Sequence, residues 1–370
     1  MSFFVLQGNQ NTVQFEARLE MKYAFSFLAV IALVLIAWLG SQIPGMQYFF
    51  GVALPYLAVL VFLGGFVYRV VQWAKSPVPF SIQTTCGQGK SLDFIKQNKL
   101  ESPDTTSEVV ARMALEILTF RSLFRNTTSE IHDGPKITYE SSKWLWLFAL
   151  IFHYSFLVVV IRHMRMFLNP VPAVIELLDW ADSMFEILTP SLYMTTAGLI
   201  AGVLFLFIRR LTNRHVRYIS LANDYFPLVL IFAIAVTGFL MRHFLRGGVD
   251  IIAIKELAVG LVTFHPVISS DIGSIFYIHL FLVSTLLVYF PFSKLMHLGG
   301  VFLSPTRNMK NNSRQVRHIN PWNPDIKVHA YASYEDEFRE FMVEANIPVE
   351  KELPPEEVAA VDEAPAKAEE

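Results

Sequence analysis

Cysteine is nearly absent from this chain: Cys86 is the single one in 370 residues. That excludes an intrachain disulfide, an Fe–S cluster held by several cysteines and an all-cysteine zinc site. No CxxCH motif occurs, so covalent attachment of a c-type haem is excluded as well. Charge is also scarce. Asp, Glu, Lys and Arg make up 17% of the residues, against roughly 25% in soluble domains. The formal net charge is −2, and no basic block with interleaved aromatics points to nucleic acid. No long internal repeat is visible.

What fills the chain instead is apolar. Hydrophobic residues reach 53% and phenylalanine alone contributes 32. Such a composition reads as an integral membrane protein. A helical span needs about 20 mostly apolar residues, and six stretches qualify: Tyr23–Leu39, Tyr48–Trp73, Trp144–Met164, Ser191–Ile208, Phe226–Phe244 and Ile275–Leu298. The first is longer than a signal-peptide core and a second span follows at once, so it is expected to be an uncleaved helix. The short turn with Pro44 and Gly45 makes the first two an antiparallel hairpin.

Lys and Arg in the flanks set the orientation. Of 30 such residues, Arg162, Arg165, Arg242, Arg246 and Lys255 are the five that fall on one side. Both termini are therefore expected in the cytoplasm, in a multi-pass protein of the cytoplasmic (inner) membrane. The expected fold is an all-α helical bundle with four regions. Residues 1–73 form a transmembrane hairpin, 74–143 a long helical cytoplasmic loop, 144–300 a four-helix domain, and 301–370 a cytoplasmic tail. The tail is Pro-, Ala- and Glu-rich from Pro354 and is expected to be disordered. In the loop, Thr105–Glu108 has the pattern of a capping box. Val110, Met113, Ile117, Phe120 and Phe124 follow at helical spacing, one apolar face for a membrane surface or a cytoplasmic partner.

Histidines inside spans are costly and rare, and so are functional candidates. The third span carries His153 and His163; the sixth carries His279 and His297. Antiparallel packing of the two spans pairs them by depth, His163 with His279 near the outer face and His153 with His297 further in. Each pair would give a six-coordinate bis-imidazole iron suited to electron transfer, and side chains on facing helices are how bundles hold cofactors. The rises do not match: ten residues make ~15 Å of helix, whereas eighteen make ~27 Å. The sixth span must therefore bend, tilt or end early, with Pro291 as the cause. His297 is then just past the helix end.

Other groups carry less. His243, at the outer end of the fifth span, suits a structural or quinone-proximal role. His132, His215, His265, His318 and His329 lie in loops or polar segments, and Cys86 reads as a loop thiol. Arg162 and Arg165 flank His163, either as headgroup and haem-propionate anchors or as part of a quinol pocket. In such a pocket Asp179, Asp182 or Glu186 would take the proton.

The two histidine pairs, ten and then eighteen residues apart, resemble the di-haem cytochromes b of the respiratory nitrate reductase gamma-subunit family over roughly residues 140–300. The stretches ARMALEILTFRSLFRNT (111–127) and SPTRNMKNNSRQVRHINPWNP (304–324) resemble more specifically the DsrM-type membrane cytochromes of DsrMKJOP complexes. The resemblance implies two haems b on the same histidine pairs and menaquinol (or menaquinone) as substrate near the outer haem. It also implies a cytoplasmic Fe–S partner of DsrK type within a complex of sulfite or sulfur metabolism. The extra N-terminal hairpin and the long loop depart from the nitrate reductase subunit. A proton-coupled secondary transporter and a haem-free anchor subunit are the competing readings; the absence of repeats and of matching broken helices speaks against the first.

Overall fold

The computed structural model describes residues 2–76, 86, 89–90, 94–132, 134, 136–184, 190–245, 249–312 and 329–351, with side chains from residue 21 onward. Six helices are long and apolar enough to cross a membrane: Met21–Ser41, Met46–Ala74, Lys143–Phe167, Met194–Thr212, Ala222–His243 and Ser274–Phe292. They correspond in order to the six predicted stretches and form an all-α membrane bundle. The first belongs to a helix that already begins at Ser2 and includes the basic residues Arg18 and Lys22.

Packing follows from small residues as much as from large ones, because lipid supplies no hydrophobic drive between spans. The fourth span has Gly198 and Gly202 one turn apart. A Cβ on Gly202 would lie 2.9 Å from the Phe152 Cβ and 3.1 Å from its Cα, and one on Gly198 would lie 2.5 Å from Ser155 Oγ. This small-residue seam lets the third and fourth spans touch along their backbones. The fifth and sixth spans pack on each other and on the first, with Leu230, Leu257, Leu282, Tyr225 and Tyr277 essentially inaccessible in the shared core.

The ends of the bundle differ. At one end Lys22 Nζ donates to the Ser220 carbonyl at 2.9 Å, Arg210 donates to Ser220 Oγ at 3.0 Å, and Lys294 reaches Asp224 at 2.7 Å. At the other, Gln42 meets Ser274 at 2.6 Å, and a short helix, Ala173–Asp182, folds back on the third span. A 13-residue helix, Ile251–Thr263, capped by Asp250 (2.8 Å to the Ile252 amide), lies between the fifth and sixth spans and packs against the third.

The sixth span ends as its proline requires. Its α-helix runs Ser274–Tyr289, turns 3₁₀ over Phe290–Phe292, and breaks at extended Ser293 (φ −121°, ψ 175°). His297 then opens a short separate helix, His297–Gly300.

Among the described residues of the 74–143 segment two things differ from expectation. Helix Thr106–Thr119 is present with its capping box, Thr105 Oγ1 accepting from the Glu108 amide and Glu108 accepting from the Thr105 amide, both at 3.3 Å. However, it buries its polar side, Arg112 and Glu116, and leaves Val110 and Ile117 exposed. Arg112 donates to the Glu101 carbonyl at 3.0 Å, Glu116 accepts from the Ser122 amide at 3.2 Å, and Arg307 approaches Glu116 at 3.8 Å. Burial lowers the Arg112 pKa, with Glu101 and Glu116 opposing the shift. An antiparallel hairpin, Thr127–His132 with Lys136–Ser141, then turns through Gly134 at φ +77°. Every described residue of both strands is exposed, so no burial pattern announces it; the Asp133–Gly134 pair between β-branched runs is the one turn signal.

Residues 321–370 form a separate compact unit. Its described part is helix Tyr331–Glu344, where buried Glu335 accepts from the Glu350 and Lys351 amides at 2.9 and 2.8 Å. The tail from Pro354, expected to be disordered, lies outside the described residues, as do Glu186, Arg246 and His318.

Candidate functional site

The third span, the sixth span and the short helix after it bring the four histidines together as two pairs. His163 and His279 face each other with ring centroids 6.5 Å apart and planes 14° apart. His153 and His297 stand 5.9 Å apart with planes at 81°. An imidazole nitrogen binds a metal at about 2.0 Å, so two imidazoles trans across one ion place their ring centres roughly 6 Å apart. Both separations match that span, and neither is a hydrogen-bond contact.

Local structure fixes which nitrogen of each ring is available. His153 Nδ1 bonds the Ala149 carbonyl and His163 Nδ1 the Val159 carbonyl, each one helical turn back at 2.7 Å. His297 Nδ1 bonds the Lys294 carbonyl at 2.8 Å, an arrangement that depends on the broken end of the sixth span. His279 Nδ1 meets Thr237 Oγ1 at 2.9 Å. That hydroxyl spends its own proton on the Ala233 or Ile234 carbonyl, at 2.9 and 3.0 Å, and therefore accepts from the imidazole. With Nδ1 as donor in all four rings, Nε2 keeps its lone pair. This is the arrangement that orients a metal-binding histidine and raises its basicity. Gly238 makes room: a Cβ there would come within 3.3 Å of His279 Cε1. Phe120, held at φ +49° between two helices of the 74–143 segment, presents its ring to His153 at 5.1 Å. Trp146 and Tyr154 anchor that loop by donating to the Thr119 and Leu118 carbonyls, each at 2.7 Å.

Beside the first pair sits a buried ionic cap. Arg162 is 8% exposed; its Nε donates to Asp179 at 3.0 Å and its Nη1 to Asp182 at 2.7 Å. Its guanidinium carbon lies 3.1 Å from the centroid of Tyr193, over which Arg242 also lies at 4.0 Å. Asp182 also accepts from the Thr195 amide at 2.8 Å and hydroxyl at 2.5 Å, tying the start of the fourth span to the end of the third. Burial pushes the Asp179 carboxyl up, but hydrogen bonds from Arg162 and Tyr193 and the charge of Arg165 outweigh it and hold it below the usual range. Arg162 is thus fully engaged as a structural lock. Arg165 is different. It donates to Asp179 at 2.5 Å yet has a side chain 47% exposed, and it lines an open cavity of about 440 Å³ with Met166, Asn169, Lys255, Glu256 and Val259 among others. His243 sits against Phe239 at 4.6 Å, and His265 Nδ1 bonds the Thr263 carbonyl at 2.7 Å; neither joins a histidine pair.

Fold and site define a multi-pass helical membrane protein whose polar centre is two facing imidazole pairs, carried by the third span, the sixth span and the short helix that follows it. Residues 118–318 match the nitrate reductase gamma subunit family, and the chain belongs to that family. It is also similar to the Hdr-like menaquinol oxidoreductase cytochrome b-like subunit of Archaeoglobus fulgidus, with 46% identity over 74% of this chain and 83% of the relative. The subunit of the same description from Archaeoglobus profundus is 40% identical over 75% of this chain and 83% of that one.

Proposed function

We propose that the chain is a membrane cytochrome b that binds two haems b. His163 and His279 would hold the outer one, His153 and His297 the inner. The observation that carries this is the pair geometry: two imidazole pairs about 6 Å apart, each ring pinned through Nδ1. When bound, bis-imidazole haem supplies one-electron redox chemistry with no open coordination site. The chain's own residues then do the positioning. Thr237 and the carbonyls of Ala149, Val159 and Lys294 hold the imidazoles; Gly238 leaves room for His279; Phe120 shields the inner pair from the cytoplasmic face.

The relatives are described as subunits of a menaquinol oxidoreductase, which supports menaquinol as the electron donor here and an assembly with other subunits. In the orientation favoured by the Lys and Arg distribution, both termini are cytoplasmic. Quinol is then oxidised at the end where the Arg162 cap lies, and electrons move inward. The assignment to the DsrM-type group, with a DsrK-like Fe–S protein docking on the 74–143 loop and the 304–330 segment in sulfite or sulfur metabolism, rests on the stretches 111–127 and 304–324.

A pyridine-haemochrome assay on the chain purified with its native lipids and partners tests the reading. Two haems b per chain are expected. No haem in that material would end it and leave a transporter or a haem-free anchor.

A further inference from the structure

The acidic residues at the end of the bundle near His163 differ in how they are committed. Asp179 and Asp182 are spent on Arg162, Arg165 and Thr195. Asp250 caps the Ile251–Thr263 helix, and Asp271 is bonded by the Ser269 and Ser270 hydroxyls. Glu176 and Glu256 are exposed and have no side-chain hydrogen-bond or ion-pair partner among the described residues, and of the two it is Glu256 that lines the cavity of about 440 Å³, the one acid among its described lining residues. The cavity lies between the end of the third span and the Ile251–Thr263 helix. Arg165 and Met166 in its wall are two and three residues past His163, a rise of roughly 3–5 Å along the helix. Met166, Val171, Ile251, Ile252 and Val259 make its apolar walls; Arg165, Asn169 and Lys255 add donors beside the carboxylate. Its size is within the range of small-molecule sites, and apolar walls with a few convergent polar groups are their usual character.

We infer that this cavity is the quinol site and that Glu256 is the catalytic base in it. The inference rests on the proposed haem at His163 and His279. A hydroquinone bound there loses two electrons and two protons to become a quinone. The Glu256 carboxylate takes the proton of one hydroxyl, passes it to water at the cavity mouth, and then takes the second. Arg165 and Lys255 stabilise each oxygen as it gives up its proton. The two electrons would leave one at a time toward the haem that His163 and His279 would hold. Neither Asp179 nor Asp182 serves as the base, because either would have to abandon a buried arginine.

The test uses the purified complex, with stopped-flow haem reduction by menadiol, a water-soluble naphthoquinol. Glu256→Gln should slow menadiol-driven reduction by about 10²-fold or more, the typical worth of a general base. Haem content and dithionite reduction should stay at wild-type levels. Glu256→Asp should recover most of the rate. Ile252→Trp, at an exposed wall position, should raise the menadiol KM with little change in kcat. Wild-type menadiol kinetics in Glu256→Gln, or an unchanged KM in Ile252→Trp, would overturn the assignment. Failure of the cytochrome reading itself would look different, with no haem for dithionite to reduce in any variant.

Discussion

The Arg162 cap can be tested independently of any cofactor. Replacing Asp182 with Ala removes the acceptor for Arg162 Nη1 (2.7 Å), the Thr195 amide (2.8 Å) and the Thr195 hydroxyl (2.5 Å). Asp182 is 4% exposed, so water does not replace it. Losing one charge-assisted bond and orphaning a first-turn amide are each worth about 1–3 kcal/mol. Breaking a buried pair by removing one partner costs about 3–5 kcal/mol. Because Arg162 keeps Asp179 at 3.0 Å, the lower half of that range is expected, near 3 kcal/mol. Adding Arg162→Met to Asp182→Ala should cost less than the single change, leaving about 1–3 kcal/mol for the Thr195 amide that still lacks its acceptor, since Asp179 retains Arg165 and no buried ion is stranded. The midpoint of SDS-induced unfolding in mixed micelles, read by circular dichroism across the four-member cycle, measures the coupling. A single Asp182→Ala loss below about 1 kcal/mol, or strict additivity of the two changes, would refute the picture of an interdependent buried lock.

Three further outcomes follow from the same geometry. Thr237→Val removes the acceptor of His279 Nδ1 and should weaken retention of the haem proposed at His163 and His279 by about 10–100-fold, leaving the spectrum of the one proposed at His153 and His297 unchanged; difference spectra during mild haem extraction report it. Gly202→Leu drives a side chain into Phe152 at 2.9–3.1 Å and should cost at least about 1–3 kcal/mol, seen as a lower unfolding midpoint in the same micelles. Asp179 is held below its ordinary value of 3.8, so its contribution is complete above that pH and is lost as the pH falls through the lower, folded-state value. Thermal stability measured across acid pH should show this component in the wild type and not in Asp179→Asn.

The six spans were legible because lipid demands long apolar runs, and nothing else in the chain has that length. The early end of the sixth span was legible too. Two histidines eighteen residues apart cannot both meet partners ten apart on a straight helix, and Pro291 supplies the break. Depth alone paired His163 with His279 and His153 with His297, as the rings are paired in the fold. What pattern could not show depends on tertiary contacts. The Thr106–Thr119 helix has a clear apolar face, yet Arg112 and Glu116 fasten it through Glu101, Ser122 and Arg307, partners that lie on other segments. The exposed hairpin at 127–141 buries no face and so leaves no alternation to read. Arg162 and Arg165 look equivalent in sequence; only the fold commits one to Asp182 and Tyr193 and leaves the other at a cavity. Glu256 is an ordinary loop acid until the Ile251–Thr263 helix packs on the third span.

The most direct measurement of the central claim is the reduced-minus-oxidised spectrum of four single variants, His153→Ala, His163→Ala, His279→Ala and His297→Ala, each with its haem count. Each variant should lose one haem, His163→Ala and His279→Ala the same spectral component and His153→Ala and His297→Ala the other. Full haem content in any of the four, or loss of one component by His163→Ala and of the other by His279→Ala, would contradict it.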